Sequence, residues 1–156
     1  MPAKPIPDGY RNLTPYLIVN DAAGAIAFYQ KAFGATERMR LVAPDGKIGH
    51  AELTIGDSVI MLADEHPAHG ARGPTAFGGS PVMLHLYVED VDAVVAHAIA
   101  AGAKEVRPVA NQFYGDRSGG VTDPFGHVWH IATHIEDVAP DEIARRAAAA
   151  MQGPAS

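Results

Sequence analysis

One stretch of the chain recurs about 69 residues further on. Leu17-Ile18-Val19-Asn20-Asp21 is answered by Leu86-Tyr87-Val88-Glu89-Asp90, and Asp57-Ser58-Val59-Ile60-Met61-Leu62-Ala63 follows the same pattern as the segment ending His130-Ile131-Ala132, with Met61 where His130 stands. Each copy leads into an Ala-rich run that stops at Gly-Ala, first Gly34-Ala35 and then Gly102-Ala103. A solenoid needs about three or more repeats. A unit used twice therefore reads as two fused modules, each a strand, a helix and then further strands. Side chains of a strand alternate between its two sides, and this assigns faces. Trp129, Ile131 and Thr133 share one side of the closing strand, and Val128, His130, Ala132 and His134 the other. Ala51, Leu53 and Ile55 oppose His50, Glu52 and Thr54 in the same way, and Leu84, Leu86 and Val88 oppose Met83, His85 and Tyr87.

The repeat divides the chain into an N-terminal arm (residues 1–12), a first module (13–63), a linker (64–81), a second module (82–134) and a C-terminal helix and tail (135–156). Asp21 and Asp90 are placed to cap helices whose apolar stripes are Ile26, Tyr29 and Phe33, then Val91, Val94, Val95, Ala98 and Ile99. Gly34 and Gly102 end them. Pro44-Asp45-Gly46 and Gly56-Asp57 read as hairpin turns. A tight turn at Gly56-Asp57 pairs Ile55 with Ser58 and so sets Glu52 opposite Met61. Arg38 and Arg40 join the Glu52 face if Met39 and Leu41 turn inward. The linker shows no periodicity, and a segment of that length is expected to be functional or mobile. Pro140 opens a short Ala-rich helix carrying Glu142, Arg145 and Arg146, expected to pack weakly.

The tandem unit, the Phe28-Tyr29 helix ending in Ala32-Phe33-Gly34-Ala35, and the turn Asp123-Pro124-Phe125-Gly126-His127 resemble the vicinal-oxygen-chelate superfamily. That group includes glyoxalase I, extradiol dioxygenases, fosfomycin-resistance enzymes and bleomycin-binding proteins. Pro15-Tyr16-Leu17 with the closing Ile131-Ala132-Thr133-His134 is most similar to its PhnB-like branch. The resemblance implies an α+β fold of tandem βαβββ modules whose mixed sheet curves into a cup. It also implies a homodimer, since bleomycin-binding relatives make their cups between chains. In metal-dependent members the ligands come from the first and last strand of each module, which the repeat carries onto Thr14, Met61, Met83 and His130. Only His130 is a strong ligand for a divalent metal, which wants His, Glu or Asp. No cofactor is expected. The non-standard set for a divalent metal would be Glu52, His85 and His130.

Composition excludes several other functions. A formal charge of −6, with 12 Lys and Arg that form no cluster, argues against nucleic acid. Without cysteine there is no disulfide, thiolate metal site or cysteine nucleophile. No apolar run approaches the roughly 20 residues of a membrane span, and the first residues lack the apolar stretch of a signal peptide. The expectation is a cytoplasmic protein.

The reading that follows is a small-molecule-binding protein, holding an antibiotic or metabolite in a cup lined by Tyr16, Arg40, Glu52, Met61, Met83, His85 and His130. Its competitor is a divalent-metal-dependent lyase, isomerase or dioxygenase of the same superfamily. Tyr and Met walls with a few fixed polar points suit a planar, amine-bearing guest. His66, His69 and His97 read as solvated and Trp129 as core.

Overall fold

A computed structural model describes residues 2–153. The first module runs β1 (Tyr16–Val19), α1 (Ala22–Phe33), β2 (Thr36–Val42), β3 (Ile48–Ile55) and β4 (Ser58–Asp64). The second runs β5 (Met83–Tyr87), α3 (Val91–Ala100), β6 (Lys104–Asn111), β7 (Asp116–Thr122) and β8 (Val128–His134). Their sheets have the same order, β1-β4-β3-β2 and β5-β8-β7-β6. In each, the first strand pairs parallel with the last and the other neighbours are antiparallel. Leu17 stands beside Leu62 as Leu86 stands beside Ile131.

Local chemistry makes the elements. Asp21 accepts from the Gly24 N–H and Asp90 from the Ala93 N–H, each satisfying a free donor at a helix start. Gly34, at φ 68°, ends α1 in the left-handed conformation. The second helix stops one residue earlier than the Gly-Ala pair suggests: Ala101 caps it in the right-handed region, and Gly102 follows at φ 121°.

The modules meet through their helix sides. Phe33 and Tyr29 of α1 approach Trp129 of β8 at ring-centroid distances of 4.5 and 5.4 Å, and Phe28 lies 6.3 Å from Phe125. These rings join Ile26, Leu53, Leu62, Val121 and Ile131 in one core. Each large apolar side chain removed from water contributes about 1.5–3 kcal/mol. Within this core the Asp123 carboxylate, itself 3% exposed, accepts from the Tyr29 hydroxyl (2.6 Å), Trp129 Nε1 (2.9 Å) and the backbone N–H groups of Phe125 and His127 (2.9 and 3.0 Å). It ties α1 of one module to the β7–β8 turn of the other.

The linker is more ordered than its composition implies. It holds a 3-10 turn at Pro67–His69, a bridge between His66 and Ala71, and a four-residue helix α2 (Pro74–Phe77). Prolines at the first positions of both turns and glycines at φ 78° after each supply the starts and stops that a periodicity search does not detect. His66 and His69 are exposed, as expected, and their rings stack at 4.1 Å. The C-terminal helix α4 (Pro140–Gln152) has no buried residue. It is held by Arg146, which bonds Glu136, Glu142 and the Phe113 carbonyl oxygen. Among the described residues no helix is long and apolar enough to cross a membrane.

Candidate functional site

Because the helix sides face each other, the opposite side of each sheet is left open. On the first sheet, Tyr16, Met61, Glu52 and Met39 form one row across β1, β4, β3 and β2. The expected pairing of Ile55 with Ser58 and of Glu52 with Met61 holds. A chain of polar contacts crosses this row: the Tyr16 hydroxyl meets His50 Nδ1 at 2.9 Å, His50 Nε2 meets a Glu52 oxygen at 2.9 Å, and Arg38 Nε lies 3.8 Å from the other Glu52 oxygen.

Tyr10, from the N-terminal arm, completes the group. Its ring sits 5.2 Å from the Arg38 guanidinium carbon. Its hydroxyl is buried and makes no well-formed hydrogen bond to any described residue, but it lies against Glu52. Tyr10 and His50 together hold the Glu52 carboxyl below its usual range, while burial and Glu52 push the Tyr10 and Tyr16 phenols up. Beside Tyr16 a cavity of about 410 Å³ extends past Ile18, Lys47 and Ile48 to His66 and His69, so the linker supplies part of its wall.

Arg40 departs from expectation. The strand slips between Glu37 and Met39, an extra residue that leaves Met39 opposite Glu52 and Arg40 opposite the buried Ala51. A bulge of one residue exchanges the faces of everything beyond it. Arg40 therefore points away from the cup and pairs with Glu37 at 3.1 Å. Met39 and Leu41 lie on the cup side, 36% and 57% exposed, rather than inward.

On the second sheet, His85 stands beside His130 and His130 beside Gly120, while Met83 stands beside Val128. The two imidazoles meet Nδ1 to Nδ1 at 3.0 Å. His130 Nε2 is buried without a partner. Burial, with His85 and Arg107 nearby, pushes the His130 pKa down.

Two rows along the same face, Asp116 accepts from the Tyr87 hydroxyl at 2.7 Å and contacts His134 Nδ1 at 2.8 Å, and His134 Nε2 contacts Asp137 at 2.7 Å. Asp116, then Asp137, push the His134 pKa up. Burial pulls Asp116 upward, but the bonds from His134 and Tyr87 prevail and its pKa falls. Tyr10, Asp116 and His134 were missing from the expected site. Alternation already puts His134 on the His130 face, but Gly115–Gly120 has no apolar alternation that would assign Asp116 to a face, and nothing in the arm marks Tyr10.

The set Glu52, His85 and His130 is not brought together in one chain. Glu52 is on the first sheet and the histidines on the second, and the described residues contain no group of three His, Asp or Glu placed to hold a metal. At the positions carried over by resemblance, Met61 and Met83 offer thioethers and only His130 an imidazole. These donors do not fit a hard divalent cation.

The family model for the Glyoxalase/Bleomycin resistance protein/Dioxygenase superfamily matches residues 12–131. A protein of Mycobacterium tuberculosis (strain ATCC 25618 / H37Rv) is 47% identical over 144 residues, 90% of this chain and 84% of its own length. Among solved structures, TioX from Micromonospora sp. ML1 is similar with a TM-score of 0.63 at 27% identity, over 80% of this chain and 99% of its own. The PhnB protein from Bacillus cereus is similar in fold, with a TM-score of 0.61 at 19% identity over 79% of this chain and 99% of its own.

Proposed function

The chain belongs to the glyoxalase/bleomycin resistance protein/dioxygenase superfamily, and from that premise we propose that it binds a small organic molecule in cups that two copies of the chain complete together. The observation that carries this reading is the unfinished state of both cup faces. Tyr16, Leu41, Met83 and Tyr87 are 46%, 57%, 67% and 59% exposed on the same sheet sides that carry the buried or partnered polar groups. Open apolar surface around a few fixed polar points is the make-up of a ligand or partner surface. A two-fold pairing would set one chain's cup face against another's, which the helix-to-helix packing prevents within a single chain. Within the superfamily, Pro15-Tyr16-Leu17 and Ile131-Ala132-Thr133-His134 favour the PhnB-like branch, and sequestration of an antibiotic or metabolite is the role we assign.

Glu52 selects the guest. Tyr10 and His50 keep its carboxylate charged, and Tyr16, Met39 and Met61 surround it with apolar area. A planar, amine-bearing compound would place its cation on Glu52. Calorimetry against a panel of cationic and anionic aromatics should show the amines binding, with Glu52→Gln weakening them by about 1–3 kcal/mol, the value of a charge-assisted hydrogen bond. Amine binding untouched by Glu52→Gln would remove Glu52 from the site.

A further inference from the structure

The two cups differ at several matched positions, and one of these differences removes a charge. Glu52 stands beside Met61 in the first sheet; in the second, Gly120 stands beside His130. Where one sheet carries a carboxylate, the other has no side chain at all. The space is kept: a cavity of about 260 Å³ lies there, walled by Met83, Val106, Val128 and Trp129 and bounded by Arg107, Gly120 and His130. It is also tight around the glycine, since a Cβ on Gly120 would come within 3.2 Å of Val106 Cγ2 and 3.5 Å of Arg107 Cβ.

Two groups at this cavity lack partners. His130 Nε2 is buried and unbonded, an arrangement that is unfavourable unless a partner arrives. Arg107, opposite Gly120 in the β6–β7 ladder, is exposed. The ion pairs among the described residues engage Arg38, Arg40, Arg117, Arg145 and Arg146, but not Arg107. A cation and an unsatisfied imidazole nitrogen thus border one apolar hollow from which the matching carboxylate is missing.

We infer that the hollow over Gly120 takes the carboxylate of an apolar organic acid, with Arg107 and His130 Nε2–H as donors and Met83, Val106 and Val128 against the hydrocarbon. The inference rests on the small-molecule reading and names the class of guest for the second cup. The His85 contact makes the donor available. When His85 Nδ1–H donates to His130 Nδ1, the remaining proton of a neutral His130 resides on Nε2, and a bound carboxylate selects that tautomer. The first cup would take an amine on Glu52 and the second an acid over Gly120.

The test is calorimetry at about pH 8, where free imidazole is neutral, using benzoate, benzamide, acetate and benzylamine on the full chain. Benzoate should bind, with benzamide and acetate each about tenfold weaker or worse, because one lacks the charge and the other the ring. Arg107→Ala and His130→Gln should each lower benzoate affinity by about 10- to 100-fold, with circular dichroism confirming the fold. In the intact protein benzoate should also shift the 15N resonance of His130 Nε2, a readout that does not depend on either variant. Benzoate that binds with undiminished affinity to Arg107→Ala, or leaves that resonance unmoved, would overturn the site. Acetate binding as tightly as benzoate would show a carboxylate site to which the apolar wall contributes nothing, and would overturn the assignment to an apolar acid. If benzylamine binds in a Glu52-dependent way while benzoate does not bind, the inference fails and the small-molecule reading stands; if no compound binds, both fail.

Discussion

In the first module Asp64, the last residue of β4, accepts from the Ala22 N–H at the start of α1 (2.8 Å); at the matching place in the second, Thr133 accepts from the Val91 N–H at the start of α3 (2.9 Å). Two different side chains do one job, joining the closing strand to the helix it supports. On the cup side the matched positions diverge: Tyr16 against His85, Met61 against His130, Glu52 against Gly120. The helix side is constrained by packing, because each helix must bury its stripe against both its own sheet and the other module. The cup side carries no such duty within one chain, and that is where the halves have taken up different chemistry.

The largest expected break in this comparison lies at the second hairpin. The β3–β4 connection is a two-residue turn, whereas the β7–β8 turn is built around Asp123 and its four donors. Asp123→Ala should destabilise the protein by about 3–5 kcal/mol, because it leaves the buried Tyr29 hydroxyl, Trp129 Nε1 and two backbone N–H groups without their acceptor. Asp57→Ala in the exposed first turn should stay within about 0.5 kcal/mol. Denaturant midpoints at constant m would show it, and equal losses would mean that Asp123 does not join the modules.

A smaller effect separates the two strand-to-helix joints. Asp64 also accepts from the Ile48 N–H at 2.7 Å, so Asp64→Ala leaves two backbone donors unsatisfied and should cost about 1–3 kcal/mol. Thr133→Val leaves one such donor, and also the Val88 carbonyl oxygen to which the hydroxyl donates at 2.9 Å, and should cost about 1 kcal/mol. A reversed order in the same unfolding assay would break the proposed equivalence.

The smallest effect is a pH dependence near neutrality carried by two histidines of the second module. His134 has a folded pKa above the ordinary value of about 6.5 because Asp116 and Asp137 favour its charged form. Its stabilisation is complete below about 6.5 and is lost as pH rises through the raised folded value. His130 is shifted the other way, so stability falls as pH drops from about 6.5 toward its lowered folded value. His134→Gln should remove the first slope and keep the second, measured as denaturant midpoint against pH. A wild-type slope that survives in His134→Gln would assign it to another group.

The sequence made the helix side readable and the cup side only partly so. Offset, caps and alternation give α1, α3, the order of the strands and the Glu52–Met61 pairing, since each rests on local geometry that repeats. Arg40 was lost to a bulge at Arg38, which no alternation rule registers until the partner strand is in view. Tyr10 reaches Glu52 from an arm with no periodicity, and Asp116 meets His134 across β7 and β8 from a Gly-rich strand with no apolar alternation to assign its face. Glu52 and the His85–His130 pair were expected in one cup because they share a face type, but they sit on separate sheets because the modules pack helix to helix.

The central claim is that the cup faces are unfinished in one chain and that a second copy completes them. Sedimentation velocity at micromolar concentration tests it most directly. The expected species is twice 16.4 kDa and falls to the monomer when Leu41→Asp and Met83→Asp place charges on the open faces, with circular dichroism unchanged. A wild-type protein that stays monomeric on concentration, or a dimer indifferent to both changes, would contradict it.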